Sequence, residues 1–188
     1  MFIIHETSFE NLNMILDSGL ILRSSEHQKL KLMNHRQGSK NRKLTTNVCL
    51  IDPKLRTADE VDAVYCRILD NKLSLYLIDD CFIILDANIL QTNEFIFNTE
   101  ENLGFRIDKD WVYSYTSFSG ELGLTVSNYN DLLTLLSNVR LNYDRTELVI
   151  LNSIDIKLIR AIYIKKKYYI ESLISKCKEK NIKIIKDE

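Results

Sequence analysis

Hydrophobic and polar positions divide the chain into short apolar runs separated by turn residues. The run Phe2–His5 predicts a first strand, and Thr7–Glu10 matches a capping box, which predicts a helix from Ser8. Apolar residues then recur at helical spacing up to Gly19, which is suited to end a helix in the left-handed conformation. The chain therefore opens with a strand, a helix and a glycine stop.

The remaining pattern predicts more strands than helices. The clearest further helix is Ser127–Arg140, capped by Ser127 or Asn128, and Tyr168–Lys180 is an amphipathic helix. A short helix follows Asp86, and Ser153–Leu158 forms a capped turn or short helix. The predicted strands are Val61–Leu69, Leu73–Leu77, Cys81–Leu85, Glu94–Asn98, Trp111–Tyr115, Thr146–Leu151, Arg160–Lys165 and Ile182–Lys186. Because strands and helices do not alternate strictly, we expect an α+β fold with a largely antiparallel or split sheet and flanking helices.

Length and composition fit one domain, residues 1–188, which includes the C-terminal helix and strand at 168–186. A net charge of −1, with 45% hydrophobic and 27% charged residues, excludes a disordered chain and a bulk polyanion binder. The apolar runs are too short for a signal peptide or a membrane span. We therefore expect an intracellular protein, cytoplasmic or nuclear.

The segment Arg23–Lys43 is strongly basic. It carries seven basic residues against Glu26 alone, a net charge of +6. Two interpretations stay open: a solvated loop, or an electropositive flap over a phosphate-bearing ligand.

The cysteines and histidines indicate no metal site. Cys49, Cys66, Cys81 and Cys177 are too widely and irregularly spaced to pair as zinc ligands, and the first three lie in apolar runs, which predicts buried free thiols. His5 and Thr7 resemble half of the His-x-Thr pair of two-histidine phosphodiesterases, but a second pair is missing, so that hypothesis fails. The sequence also lacks a P-loop, a Gly-x-Gly-x-x-Gly loop, a Gly-x-Ser-x-Gly elbow and a His-Glu-x-x-His pair.

Four segments form a pattern that extends over roughly residues 2–165. Ile3–Leu20 contains a strand, a histidine, an Asn-Leu helix and a glycine stop, and Thr146–Ile164 contains a strand with a glutamate, a short helix and another strand. Between them, Val61–Arg67 is a Val-Tyr strand with an arginine, and Phe95–Asn102 is a Phe- and Asn-containing turn. This order resembles the ADP-ribosyltransferases, and most closely the DarT-type enzymes that modify DNA bases. The resemblance implies a split-sheet fold and NAD as substrate.

The resemblance also implies catalytic residues. Cleavage of the nicotinamide–ribose bond generates an oxocarbenium-like ribose, which a nearby carboxylate stabilises while it holds the 2′-hydroxyl. Glu147 matches the family's catalytic glutamate, and Arg67 would bind phosphate or activate the acceptor.

The same resemblance implies NAD-binding residues. His5 would hydrogen-bond the adenosine-side ribose, with Thr7 beside it. An aromatic ring should stack on nicotinamide, and the candidates are Tyr65, Tyr113 and Tyr115.

Two features depart from the family pattern. Arg145 occupies the position where many protein-modifying members carry a second Gln or Glu, and Ser114–Gly123 has no counterpart in the DarT-type pattern, although Ser117, Ser119 and Gly120 could form an anion-binding turn or a plain hairpin. The expected function is mono-ADP-ribosyl transfer, a glycosyltransferase reaction, to a nucleic-acid or protein acceptor. The alternatives are an inactive module that binds a nucleotide, nucleic acid or protein, and an NAD glycohydrolase or RNA 2′-phosphotransferase-like enzyme.

Overall fold

The computed structural model describes residues 2–23, 63–69, 80–99, 105–108, 111–114, 124–140 and 146–187. The strands in these residues are β1 Phe2–Thr7, β2 Leu20–Ile21, β3 Val64–Leu69, β4 Cys81–Leu85, β5 Phe95–Asn98, β6 Phe105–Asp108, β7 Trp111–Ser114, β8 Thr125–Val126, β9 Glu147–Ile150, β10 Ile154–Asp155, β11 Ile159–Ile164 and β12 Lys183–Lys186. The helices are α1 Phe9–Ser18, α2 Ile89–Thr92, α3 Tyr129–Asn138 and α4 Glu171–Glu179.

Eight of the strands form one sheet in the order β12-β11-β4-β1-β3-β9-β5-β8. Its neighbours are antiparallel except β11 and β12, which are parallel and joined through α4. A parallel pair needs such a crossover connection, whereas antiparallel neighbours do not. The predicted α+β class with a largely antiparallel sheet is confirmed.

Strand β3 joins the two halves of this sheet. Its second half pairs with β1, from Phe2 opposite Leu69 to Ile4 opposite Arg67. Its first half, Val64–Cys66, pairs instead with β9. From His5 onward, β4 on its other side is the strand with which β1 pairs among the described residues. The two halves of the sheet therefore separate beside the last residues of β1.

Helices cover one face of the sheet. Leu12, Leu132 and Leu173, one from each of the three longer helices, are buried in the same cluster as Ile68 and Ile83 of the sheet. The opposite face carries two smaller clusters, in one of which the rings of Phe82 and Tyr163 stack with centroids 5.0 Å apart. Side chains of one strand alternate between these two faces.

The ends of α1 confirm one prediction and correct another. Gly19 is the C-cap with φ +78°, as predicted. The predicted capping box from Thr7 to Glu10 is wrong: Thr7 is the buried last residue of β1, where it pairs with Cys81, and the N-cap is Ser8, whose side chain accepts from the Asn11 amide. Because the sheet holds Thr7, the helix begins at Phe9.

Most other predicted elements are present with shorter bounds. Strand β4 has its predicted bounds, whereas the C-terminal helix begins at Glu171 after a 3₁₀ turn over Lys166–Tyr168. Within Ser153–Leu158, a two-residue strand pairs with β2 before a short 3₁₀ helix. Some predictions concern residues outside the described ones: the strand Leu73–Leu77, residues 24–43 of the basic segment, Cys49, Tyr115, Ser117, Ser119, Gly120 and Arg145. None of the described helices is long and apolar enough to cross a bilayer.

Candidate active site

A row of three hydrogen-bonded polar side chains crosses the β9 half of the sheet. Asn98 at the end of β5 lies directly opposite Glu147 on one side and Thr125 on the other. Its amide Nδ2 donates to Glu147 Oε2 at 3.3 Å, and its Oδ1 accepts from the Thr125 hydroxyl at 2.8 Å. The candidate catalytic carboxylate is therefore held by a neighbouring strand.

Asn98 is fully buried, whereas Glu147 and Thr125 are half-buried. A buried amide must find partners for both of its ends, and here the hydroxyl and the carboxylate supply them. Two hydrogen bonds just beyond this row hold β8 in place. Thr99 N donates to Leu124 O at 3.0 Å, and Leu124 N donates to the Thr99 side-chain oxygen Oγ1 at 2.8 Å.

Arg67 and Tyr65 lie on β3, the other neighbour of β9. Tyr65 is opposite Val149 and Cys66 is opposite Leu148, so Arg67 and Glu147 come one position further along the two strands. Residues two apart on a strand share a face, so Tyr65, Arg67 and Glu147 belong to the same face of the sheet. Both β3 side chains are half-buried. The structure thus brings three of the predicted site residues together.

His5 contacts the backbone of Tyr65 from the other half of the sheet, but its side chain lies on the opposite face from Tyr65, Arg67 and Glu147. In β1 it alternates with Ile4 and lies opposite Ile83, which places it on the helix-covered face. Its Nδ1 nevertheless lies 2.8 Å from the carbonyl oxygen of Tyr65. Thr7, two residues on, is buried, and its carbonyl accepts from the Cys81 thiol at 3.2 Å.

Two of the residues predicted to stack on nicotinamide, Tyr113 and Tyr115, come after β6 in the chain. Tyr113 lies in β7, opposite Arg106 of β6, and β7 runs beside β8. This hairpin therefore adjoins the edge of the sheet that carries the Thr125 end of the polar row. Tyr115 lies outside the described residues.

Cys66 sits between Tyr65 and Arg67 but points into the core under the helices. It is a free thiol, as are Cys81 and Cys177, and all three are buried as predicted for Cys66 and Cys81. Burial raises the pKa of the Cys66 thiol far above its ordinary value. It therefore remains a protonated thiol at neutral pH rather than a nucleophile.

One groove formed by described residues lies away from the polar row. This groove of about 640 Å³ runs between α2 and the start of α3, lined by residues that include Glu94, Phe95 and Tyr129. It adjoins the first residue of β5, whereas the polar row is at the last, Asn98. In the described part of the chain, no group of three or more His, Cys, Asp or Glu side chains could hold a metal ion.

Sequence reasoning missed Asn98 and Thr125 as site residues. The sequence pattern includes Asn98 only as part of Phe95–Asn102. The feature that predicts a role for it is an asparagine at the end of an otherwise apolar strand. A polar side chain in such a run is buried, and burial requires partners.

The fold is that of the DarT ADP-ribosyltransferases. The structure of Thermus sp. 2.9 DarT in complex with NAD+ matches with a TM-score of 0.56 and 11% identity, over 99% of this chain and 94% of that one. The same enzyme in complex with ADP-ribosylated ssDNA matches with a TM-score of 0.53 and 11% identity, over 99% and 93%. At this identity the likeness shows the fold alone.

Comparison of the sequence itself assigns the chain to a family. Residues 1–166 match the model of DUF5863, a family of unknown function, and the chain belongs to that family. Uncharacterized protein 422L of Invertebrate iridescent virus 6 is 34% identical over 172 residues, which cover 87% of this chain and 84% of that protein.

Proposed function

We propose that this protein is an NAD-dependent mono-ADP-ribosyltransferase that modifies a nucleic-acid or protein acceptor, with Glu147 as the catalytic carboxylate. The observation that carries the proposal is the Asn98–Glu147 hydrogen bond, which holds a half-buried carboxylate beside the strand of Arg67 and Tyr65. The fold shared with DarT, which has been captured with NAD+ and with ADP-ribosylated ssDNA, supports the same reaction class.

In the proposed reaction, the bond between nicotinamide and the ribose C1′ breaks, and nicotinamide leaves with the bonding electrons. The carboxylate of Glu147 stabilises the positive charge that develops on the ribose. A nucleophile of the acceptor then bonds to C1′ and releases one proton. Arg67 carries a permanent positive charge, which suits the pyrophosphate of NAD or the activation of the acceptor.

Further residues are proposed to bind NAD. His5 is proposed to contact the adenosine-side ribose, with Thr7 at the end of the same strand. Tyr65, Tyr113 and Tyr115 are the proposed stacking partners of nicotinamide, of which Tyr65 shares a sheet face with Glu147. Residues 23–43, with a net charge of +6, are proposed to attract the phosphates of NAD or of a nucleic-acid acceptor.

The test is transfer of label from NAD radiolabelled in its adenylate phosphate. Single-stranded DNA, RNA and a protein mixture are incubated separately with the wild type, Glu147→Gln and Glu94→Gln. Glu94 is an exposed carboxylate at the far end of β5 and serves as the matched control. We expect label on one acceptor class with the wild type and Glu94→Gln, and none with Glu147→Gln. Release of nicotinamide without transfer would indicate a glycohydrolase. A protein that does not bind NAD at all would refute the proposal that it is an NAD-dependent enzyme.

A further inference from the structure

We propose that Asn98 is a positioning residue for Glu147, and that Thr125 anchors the Asn98 amide by satisfying its buried oxygen. This inference rests on the proposed function, because it assigns a supporting shell to the proposed catalytic carboxylate. It extends the site by two residues on strands β5 and β8.

The hydrogen bonds run in one direction across the three strands. The Thr125 hydroxyl donates to Asn98 Oδ1 at 2.8 Å, which leaves Nδ2 as the end of the amide that faces β9. Nδ2 donates to Glu147 Oε2 at 3.3 Å. An amide turned the other way would present its oxygen to the carboxylate, and two acceptors would face each other. The carboxylate, which only accepts, therefore selects the amide orientation, and the Thr125 hydroxyl satisfies the amide oxygen that this orientation leaves facing β8.

Burial makes this arrangement rigid. Asn98 has no exposed surface, and it is paired in register with both neighbouring strands. A glutamate has several rotatable bonds, and fixing its carboxylate before the substrate binds is what electrostatic stabilisation of a transition state requires. Asn98 is neutral, so it does this without offsetting the negative charge that the developing oxocarbenium needs.

The ionisation of the Glu147 carboxyl depends on the charged and titratable groups around it. Among the described residues, Arg67 and Tyr65 on β3 share its face of the sheet, and the neutral Asn98 and Thr125 lie beside it on β5 and β8. Asn98→Asp has nearly the same shape but adds a second carboxylate at hydrogen-bond distance from Glu147. Two adjacent carboxylates hold a shared proton, so the pKa of one must rise.

The experiment compares Asn98→Asp, Asn98→Leu, Thr125→Val and Thr125→Ser with the wild type. Asn93→Leu is the matched control, because Asn93 lies before β5 and its amide bonds only to its own short helix. Thermal unfolding establishes which variants are folded. Nicotinamide release from NAD is then measured against pH, and the carboxyl ¹³C shift of Glu147 is titrated in the protein without NAD.

We expect Asn98→Leu to lower kcat by about tenfold to a hundredfold, as the loss of a hydrogen bond to a charged group implies, with KM changed much less. Asn98→Asp should create a coupled pair in which one of the two carboxyls, the introduced one or Glu147, titrates at higher pH than Glu147 does in the wild type. Thr125→Val should lower kcat, and Thr125→Ser should restore it.

Unchanged kcat in folded Asn98→Leu, or a folded Asn98→Asp in which neither the introduced carboxyl nor Glu147 titrates at higher pH than Glu147 does in the wild type, would overturn the proposal. If neither Asn98 variant folds, the Thr125→Val and Thr125→Ser pair decides it through the same two readouts. The ¹³C titration needs no turnover. A wild type that does not cleave NAD would therefore refute the proposed function and still leave the coupling between Asn98 and Glu147 measured.

Discussion

The imidazole Nδ1 of His5 lies 2.8 Å from the carbonyl oxygen of Tyr65. A carbonyl oxygen only accepts hydrogen bonds, so Nδ1 carries the proton in this contact. The backbone ladder between β1 and β3 ends one residue earlier, at Ile4 opposite Arg67. The His5 side chain thus continues the link between the two halves of the sheet beyond the point where their backbones separate.

We expect His5→Ala to lower the free energy of unfolding by about 1 kcal/mol, because it removes one partly buried hydrogen bond. His5→Asn should lose less, since its amide can donate from a similar position. Urea denaturation of both variants checks this prediction. Equal stability of wild type and His5→Ala would mean that the contact does not hold the strands together.

Arg67 should not be replaceable by lysine. The planar guanidinium presents several donors in a fixed geometry, and an ammonium group keeps the charge but not that geometry. We expect Arg67→Lys and Arg67→Ala to lower kcat/KM for NAD by about tenfold to a hundredfold. Arg160→Ala is the matched control, because Arg160 is an exposed arginine that pairs with Asp86 at the other side of the sheet. A normal kcat/KM in Arg67→Lys would show that charge alone suffices.

Gly19→Ala should destabilise the protein by about 1 kcal/mol through its backbone alone. Gly19 has φ +78°, and among the described residues a Cβ there would meet only Ile156 Cγ2, at 4.0 Å, which is not a clash. Gly19→Asn should cost less, since asparagine tolerates this conformation better, as Asn181 does with φ 55°. Chemical denaturation of the two variants gives the order, and an equal cost would contradict the conformational explanation.

The stability contributed by Cys66 should depend on pH. Burial keeps this thiol protonated in the folded state, whereas the unfolded thiol ionises at its ordinary pKa of 9.0. The folded pKa is the higher one, so the stabilisation is complete below pH 9.0 and declines as the pH rises above it. Between pH 8 and pH 10, we expect the wild type to lose about 1.4 kcal/mol more than Cys66→Ala. Parallel urea titrations at the two pH values measure this difference, and equal losses would show that the thiol titrates in the folded state.

Local features of the fold could be predicted from the sequence. Strand β4, the Gly19 stop and helix α3 follow from apolar runs and spacing, which report on neighbours along the chain. The predicted cap at Thr7 failed because pairing with β4 extends β1, and that pairing depends on residues more than seventy positions away.

The candidate site could be predicted only in part. Glu147, Arg67 and Tyr65 were identified, and their common face follows once the register of β3 and β9 is known. Asn98 was missed because its partner is 49 residues away, and no local pattern encodes a hydrogen bond across strands. The partner of His5 could not be predicted either, because it is the backbone carbonyl of Tyr65 and a sequence motif does not specify such a contact.

The most direct test of the proposed function is to measure nicotinamide release from NAD by the wild type, Glu147→Gln and the control Glu94→Gln. The glutamine has the shape of the glutamate but lacks its charge, so a correctly folded variant isolates the electrostatic role of the carboxylate. We expect the wild type and the control to release nicotinamide at equal rates, and Glu147→Gln to be slower by about a thousandfold. A wild-type rate equal to that of folded Glu147→Gln would contradict the assignment of Glu147 as the catalytic carboxylate.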